Sequence, residues 1–175
     1  MSQSYKEIMN QITTFIFDVD GVLTDGTVHV TTSGEMLRTM NIKDGYALKT
    51  AVDAGYRVVI ISGGSNEGVK TRLKNLGLTD IFLGTSNKVL TFTEYITQHA
   101  ILPQNCLFMG DDIPDFQLMQ LVGLPSCPQD AAPEIKAVSK YVSHQLGGQG
   151  CVRDVIEQVM KVQGNWMKQF DAKYD

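Results

Sequence analysis

The apolar residues of this chain fall into short runs separated by polar, glycine-punctuated stretches. Ile12 to Phe17, Arg57 to Ile61 and Asn105 to Met109 read as buried strands, rich in branched and aromatic side chains and too short for helices. Asp80 to Leu83, Leu124 to Cys127 and Tyr141-Val142 are weaker members of the series. Helical patterns lie between them: Ser4 to Asn10, Asp44 to Ala54 with Gly55 as a stop, Asn66 to Asn75, Asn87 to His99, Pro114 to about Val122, Pro133 to Ser139, and Val152 to about Val162. Asp44 is the expected cap of the second helix, and Pro114 suits a first turn. Thr27 to Val30 and Glu35 to Met40 alternate around Thr31-Thr32-Ser33-Gly34, a hairpin signal.

Strands alternating with helices predict an α/β fold: a Rossmann-like parallel sheet with helices on both faces. The hairpin, about residues 26–41, is an insertion after the first strand. One domain is expected over residues 1–163, followed by a tail, 164–175, whose Trp166 either docks or stays loose.

Composition narrows the function. Net charge is −4 and no cluster of Lys and Arg stands out, so nucleic acid is not an expected partner. The apolar runs are far shorter than a membrane span, and the first residues lack the apolar core of a signal peptide. Cys106, Cys127 and Cys151 are scattered and odd in number, which points to reduced thiols in the cytoplasm and away from zinc.

Chemistry concentrates at strand ends. The first strand runs into Asp18-Val19-Asp20-Gly21, two acids at i and i+2 where ligands bind in open α/β sheets. An acidic turn that merely keeps a strand end soluble is the plain alternative, but acids are poor strand residues. Ser62-Gly63 follows the second buried strand, Lys88 stands at a helix start, and Gly110-Asp111-Asp112 with Asp115 follows another strand. Five carboxylates with one lysine need a further counter-charge, and an all-oxygen set suits Mg²⁺. Such a site takes a phosphate ester. Asp18 is then the nucleophile that forms an acyl phosphate, and Asp20 the acid and later the base. The Ser62 hydroxyl and nearby backbone N–H groups hold phosphoryl oxygens. Asp111 binds metal, while Asp112 and Asp115 orient metal-bound waters or Lys88.

Taken together, Asp18-Val-Asp20-Gly-Val-Leu-Thr, Ser62-Gly63, Lys88 and Gly110-Asp111-Asp112 with Asp115 resemble the four ordered motifs of the haloacid dehalogenase-like phosphatases, over about Ile12 to Val162. The resemblance implies Mg²⁺ held by the Asp18 side chain, the Asp20 main-chain carbonyl and Asp111. Many members carry an inserted cap domain; here there is room only for the hairpin, so a capless enzyme is expected. The hairpin, Asn41-Ile42-Lys43-Asp44-Gly45-Tyr46, Ser86-Asn87-Lys88 and the late Gly147 to Asp154 stretch are similar to the 3-deoxy-D-manno-octulosonate 8-phosphate (KDO 8-phosphate) phosphatases. That narrower resemblance implies a homotetramer whose hairpins form a central barrel, with each site completed by a neighbouring subunit. It also implies a role in making the inner-core sugar of lipopolysaccharide. It assigns Asp20, Asn41, Ile42, Lys43, Asp44, Gly45, Lys49, Ser62, Gly63, Arg72 and Lys88 to the substrate, with Arg153 close by.

Two departures bear on the sugar. Many relatives have arginine directly after the Ser/Thr-Gly pair, where this chain has Gly64 and Ser65, and Lys49 stands where arginine is common. Lysine does not reproduce a bidentate arginine contact. The alternatives are therefore a phosphatase of a nine-carbon, sialic-acid-like sugar acid, or a phosphatase-like domain partnering a sugar-nucleotide synthetase. More distant are a receiver-type signalling module, in which the acidic pair precedes the phosphorylated aspartate, and a scaffold with a decayed site.

Overall fold

The computed structural model describes residues 4–167. Among the described residues, eight strands and seven α-helices follow one another in the expected order. They are α1 (Tyr5–Met9), β1 (Thr14–Phe17), β2 (His29–Val30), β3 (Met36–Leu37), α2 (Ile42–Asp53), β4 (Arg57–Ile61), α3 (Glu67–Asn75), β5 (Asp80–Phe82), α4 (Lys88–Gln98), β6 (Cys106–Met109), α5 (Phe116–Met119), β7 (Leu124–Cys127), α6 (Pro133–Val138), β8 (Tyr141–Val142) and α7 (Cys151–Val162).

Six strands form one parallel sheet in the order β5-β4-β1-β6-β7-β8. β1 lies at its centre, between β4 and β6, and every residue of it is buried. Its alternation explains the layers. Phe15 and Phe17 join a core with α1, α2, α3 and α7, whereas Ile16 points to the opposite core of α4, α5 and α6. Covering both faces is what a parallel sheet requires. The chain leaves β1 towards β4 on one side and β6 on the other, so the carboxyl end of β1 borders a topological switch point, where α/β sheets bind ligands.

β2 and β3 pair as the hairpin, His29 opposite Leu37 and Val30 opposite Met36, and it is the insertion between β1 and α2. Two boundaries differ from the sequence expectation. Asn41, not Asp44, caps α2: its side chain accepts from the Lys43 and Asp44 N–H groups. Pro114 opens a 3₁₀ turn, Ile113–Asp115, before a four-residue α5, in place of one helix reaching Val122. The tail beyond Gly164 docks as far as Trp166, which packs edge-on to Tyr46 and beside the first core; residues 168–175 lie outside the described residues. No helix among the described residues is long and apolar enough to cross a membrane.

Candidate active site

β1 stops at Phe17, and the Asp18 N–H completes the ladder by donating to the Met109 carbonyl at 3.1 Å. The chain then turns tightly: the Val22, Leu23 and Thr24 N–H groups all converge on the Val19 carbonyl, and the buried Thr24 hydroxyl accepts from Gly21 and Gly26. Asp18 and Asp20 are therefore not on one extended strand as expected, but both line one cleft of about 320 Å³. Gly21 is obligatory there. Its φ is +82°, and a Cβ would lie 1.9 Å from Asp111 Oδ2.

β4 and β6 bring the other motifs to the same edge. Ser62, Gly63 and Gly64 follow β4 and line the cleft opposite Asp111, Asp112 and Asp115, which follow β6. Gly110 makes room for Asp115 to fold back, since a Cβ on it would lie 2.5 Å from the Asp115 carboxyl. Asp115 Oδ2 then accepts the Asp111 and Asp112 N–H groups at 3.0 and 3.4 Å. Lys88, first residue of α4, reaches in between: its Nζ donates to Asp18 Oδ2 at 2.7 Å and Asp115 Oδ1 at 2.6 Å. This triad is deeply placed, with the Lys88 and Asp18 side chains 10% exposed and that of Asp115 1%.

Negative charge is in surplus. Burial, and then the Asp115 carboxylate, raise the pKa of Asp18 despite Lys88. Burial pulls the Lys88 ammonium down, but Asp18 and Asp115 outweigh it and hold its pKa above the usual value. Asp111 is pushed up to about 7, first by burial, then by Asp115, Asp18 and Asp112. The excess of carboxylates that raises Asp18 and Asp111 makes a cation welcome too. Asp18, Asp111 and Asp115 offer oxygens within 4.8 Å of one another, an all-carboxylate donor set that fits Mg²⁺. Asp115 accepts three hydrogen bonds, from Lys88 and from the Asp111 and Asp112 N–H groups, against two at Asp18, from Lys88 and the Val19 N–H, and it is the more deeply buried, so its place is behind the other two.

The charge count made from sequence needs one correction. Arg38, from the hairpin and not anticipated, grips Asp20 bidentately, Nε to Oδ1 at 2.7 Å and Nη2 to Oδ2 at 3.1 Å. Arg38 thus brings Asp20 a counter-charge of its own. The signal was the hairpin itself, whose return brings residues flanking its two ends together.

Of the residues assigned to the substrate, Asp20, Ser62, Gly63 and Lys88 line this cleft, and the other seven lie elsewhere in the subunit. Among the described residues lining the Asp18 cleft there is none of Asn41, Ile42, Lys43, Asp44, Gly45, Lys49 or Arg72. Asn41 and Lys43 line a second cleft with Arg153. Ile42 is largely exposed at the start of α2, Lys49 pairs with Asp53 at 3.0 Å, and Arg72 packs against Gly45. Arg153 stacks over Tyr46 and Trp166 and pairs with Glu157. Asp44 is 1% exposed. It reaches across from α2 and accepts the Arg153 N–H at 2.7 Å, so it serves the first turn of α7 and is shielded from ligands within the subunit. Burial drives its pKa up to about 6. The glycine-rich stretch before α7 presses on the nucleophile loop: a Cβ at Gly147 would lie 2.0 Å from the Gly21 carbonyl oxygen.

A central parallel strand ending in a buried, lysine-paired aspartate, with an acid two residues later and an acidic loop on the neighbouring strand, defines a haloacid dehalogenase-like hydrolase. The model of the haloacid dehalogenase-like hydrolases matches residues 77–151. The 3-deoxy-D-manno-octulosonate 8-phosphate phosphatases KdsC of Escherichia coli and Salmonella typhimurium are 38% identical over 149 residues, covering 85% of this chain and 79% of theirs. The chain belongs to the family of 3-deoxy-D-manno-octulosonate 8-phosphate phosphatases, a family of phosphoric monoester hydrolases. The Yersinia pestis phosphatase of that name superposes with a TM-score of 0.90 at 30% identity, over 93% of this chain and 88% of that one. The Moraxella catarrhalis enzyme, solved with magnesium, phosphate and KDO, superposes with a TM-score of 0.89 at 30% identity, over 92% of each chain. The receiver-type and scaffold readings have no counterpart among these relatives.

Proposed function

We propose that the protein is a Mg²⁺-dependent phosphatase of 3-deoxy-D-manno-octulosonate 8-phosphate, working in the cytoplasm and releasing the free sugar acid and phosphate for lipopolysaccharide synthesis. The observation that carries the reading is Asp18 at the tip of β1, sharing one cleft with Lys88 and Asp111 and followed two residues later by Asp20. Asp18, the Asp20 main-chain carbonyl and Asp111 would hold Mg²⁺, which supplies positive charge against the phosphoryl oxygens and the carboxylates around them.

The Asp18 carboxylate attacks phosphorus in line, forming the O–P bond of an acyl phosphate as the ester O–P bond breaks. Asp20 gives a proton to the departing sugar oxygen, an alkoxide that leaves poorly without one. It then takes a proton from the water that attacks the acyl phosphate, which frees Asp18 and releases inorganic phosphate. Lys88 keeps Asp18 oriented and, with the Ser62 hydroxyl and Gly63 N–H, holds the phosphoryl oxygens. Within one subunit the sugar end has little to grip. A homotetramer would cure this by bringing the start of a neighbour's α2 over the open cleft, with Asn41, Ile42, Lys43, Lys49 and Arg72 as its sugar-facing region and the buried Asp44 and Gly45 behind them. The apolar side chains left exposed on the hairpin, Val30, Met36 and Leu37, support an assembly built through it.

The test is turnover of purified protein with Mg²⁺ on KDO 8-phosphate, nine-carbon sugar-acid phosphates and hexose phosphates. A clear preference for the eight-carbon acid is expected. Preference for a nine-carbon acid would move the substrate, in line with Gly64 and Ser65; comparable hexose phosphate turnover would reject the sugar-acid assignment. Light scattering should give four chains per particle.

A further inference from the structure

The Arg38–Asp20 pair is built with more care than a surface ion pair. The Arg38 side chain is only 7% exposed, whereas that of Asp20 is 38% exposed on the cleft. A third contact, from Nη1 to the Met36 carbonyl at 2.9 Å, fixes the guanidinium to its own strand. The same carbonyl accepts from the Asn66 side chain at 3.2 Å, and Asn66 caps α3. The base of the hairpin is thus tied to the scaffold, and Arg38 projects from that tie. On the other side Gly64 closes the slot: a Cβ there would lie 2.9 Å from Asp20 Oδ2 and 3.4 Å from Arg38 Nη2. The guanidinium therefore lies against Gly64, the residue directly after Ser62-Gly63, where there is no side chain.

We propose that Arg38 is the positioning residue for Asp20, a hairpin guanidinium that fixes the acid–base carboxylate in its slot, and that Gly64 is the space this arrangement needs. The inference rests on the reading of Asp20 as the group that protonates the leaving oxygen. The arginine fork engages both oxygens from one side and leaves the remaining carboxylate edge on the cleft, where a proton can be passed. A carboxylate held this way has lost the rotations that would misdirect it, and angstrom-scale misplacement costs on the order of 100-fold in rate. Arg38 itself touches no reacting atom in this scheme.

Leaving-group dependence separates positioning from general damage. A p-nitrophenyl ester departs without a proton; an alkyl ester such as a sugar phosphate does not. With Mg²⁺ saturating, Arg38→Met should lower kcat/KM, which reports acyl phosphate formation, by roughly 30- to 100-fold for KDO 8-phosphate and by less than about fivefold for p-nitrophenyl phosphate; kcat should fall for both esters, because the water that opens the acyl phosphate needs the same base. Arg38→Lys, which keeps the buried charge but not the fork, should fall in between; it also serves if the methionine variant does not fold. Gly64→Ala should give the same ester selectivity with Arg38 intact. Asp20→Asn is the reference. If it is selective between the esters in kcat/KM while the Arg38 and Gly64 variants lose kcat/KM equally on both, or lose nothing, the positioning role is overturned and Asp20 keeps its own. If Asp20→Asn shows no selectivity, the reading of Asp20 fails and takes this inference with it.

Discussion

Replacing Lys88 by methionine tests the electrostatic core of the site without touching its shape. Lys88 lies 2.7 Å from Asp18 and 2.6 Å from Asp115, and all three side chains are nearly closed to water. Removing one partner of a buried pair leaves uncompensated charge and typically costs about 3–5 kcal/mol, far above the value of a surface pair. For a domain of this size that is roughly a 6–20 °C fall in melting temperature. The sign of the pH dependence follows from Asp18. Its folded pKa is already raised, by burial and then by Asp115, and the variant deletes the ammonium that opposes the rise. A carboxyl with a raised folded pKa binds protons better in the native state, so native stability falls as pH rises above its unfolded value of about 3.9. The deficit of Lys88→Met should therefore be largest near pH 8 and shrink towards pH 5.

Denaturant unfolding with chelator at both pH values, at one protein concentration, measures this. Added Mg²⁺ should stabilise the variant more than the parent, because it replaces part of the missing charge. Turnover should fall steeply. A variant within about 1 kcal/mol of the parent at pH 8, or a deficit equal at both pH values, would refute the picture of a buried triad held together by one lysine.

Asp44 should impose its own pH dependence. Its pKa rises from 3.8 to about 6 by burial, so stability should decline by at most about 3 kcal/mol as pH rises from about 4 through 6, and urea titrations of Asp44→Asn should be flatter over that interval. Gly21→Ala would set a Cβ 1.9 Å from Asp111 Oδ2; calorimetry should show weakened Mg²⁺ binding, with turnover lost in parallel. Gly147→Ala pushes on the Gly21 carbonyl from the other side, and should lower both melting temperature and kcat. Asp18→Asn should abolish turnover while the circular dichroism spectrum and particle size stay unchanged.

The sequence showed the sheet and the four motifs clearly because each is local. A branched strand ending in an acid or a glycine is legible from neighbouring residues alone, and parallel topology then brings the strand ends together. What was illegible depends on distance in the chain. Asn41 and Asp44 are both good caps three residues apart, and nothing local says which one closes α2. The choice is made by α7, whose first turn needs an acceptor that Asp44 supplies across 109 residues. Arg38 carries no local signal at all, because its partner lies 18 residues back.

The same reasoning explains why the sugar site was the hardest part to anticipate. The phosphate end needs groups at the ends of β1, β4 and β6, and one subunit supplies them all. The motif around Asn41 to Gly45 instead does two jobs that a sequence cannot separate: it starts α2, and through Asp44 it ties α2 to α7. A buried Asp44 cannot itself touch a sugar; in the proposed assembly its part would be to hold Asn41 and Lys43 in place on the surface. Only a neighbouring chain could bring those groups to an open cleft. The hairpin leaves Val30, Met36 and Leu37 exposed and carries Arg38 inward to Asp20, so an assembly made through it, as proposed, would act on Asp20 through the Arg38 guanidinium.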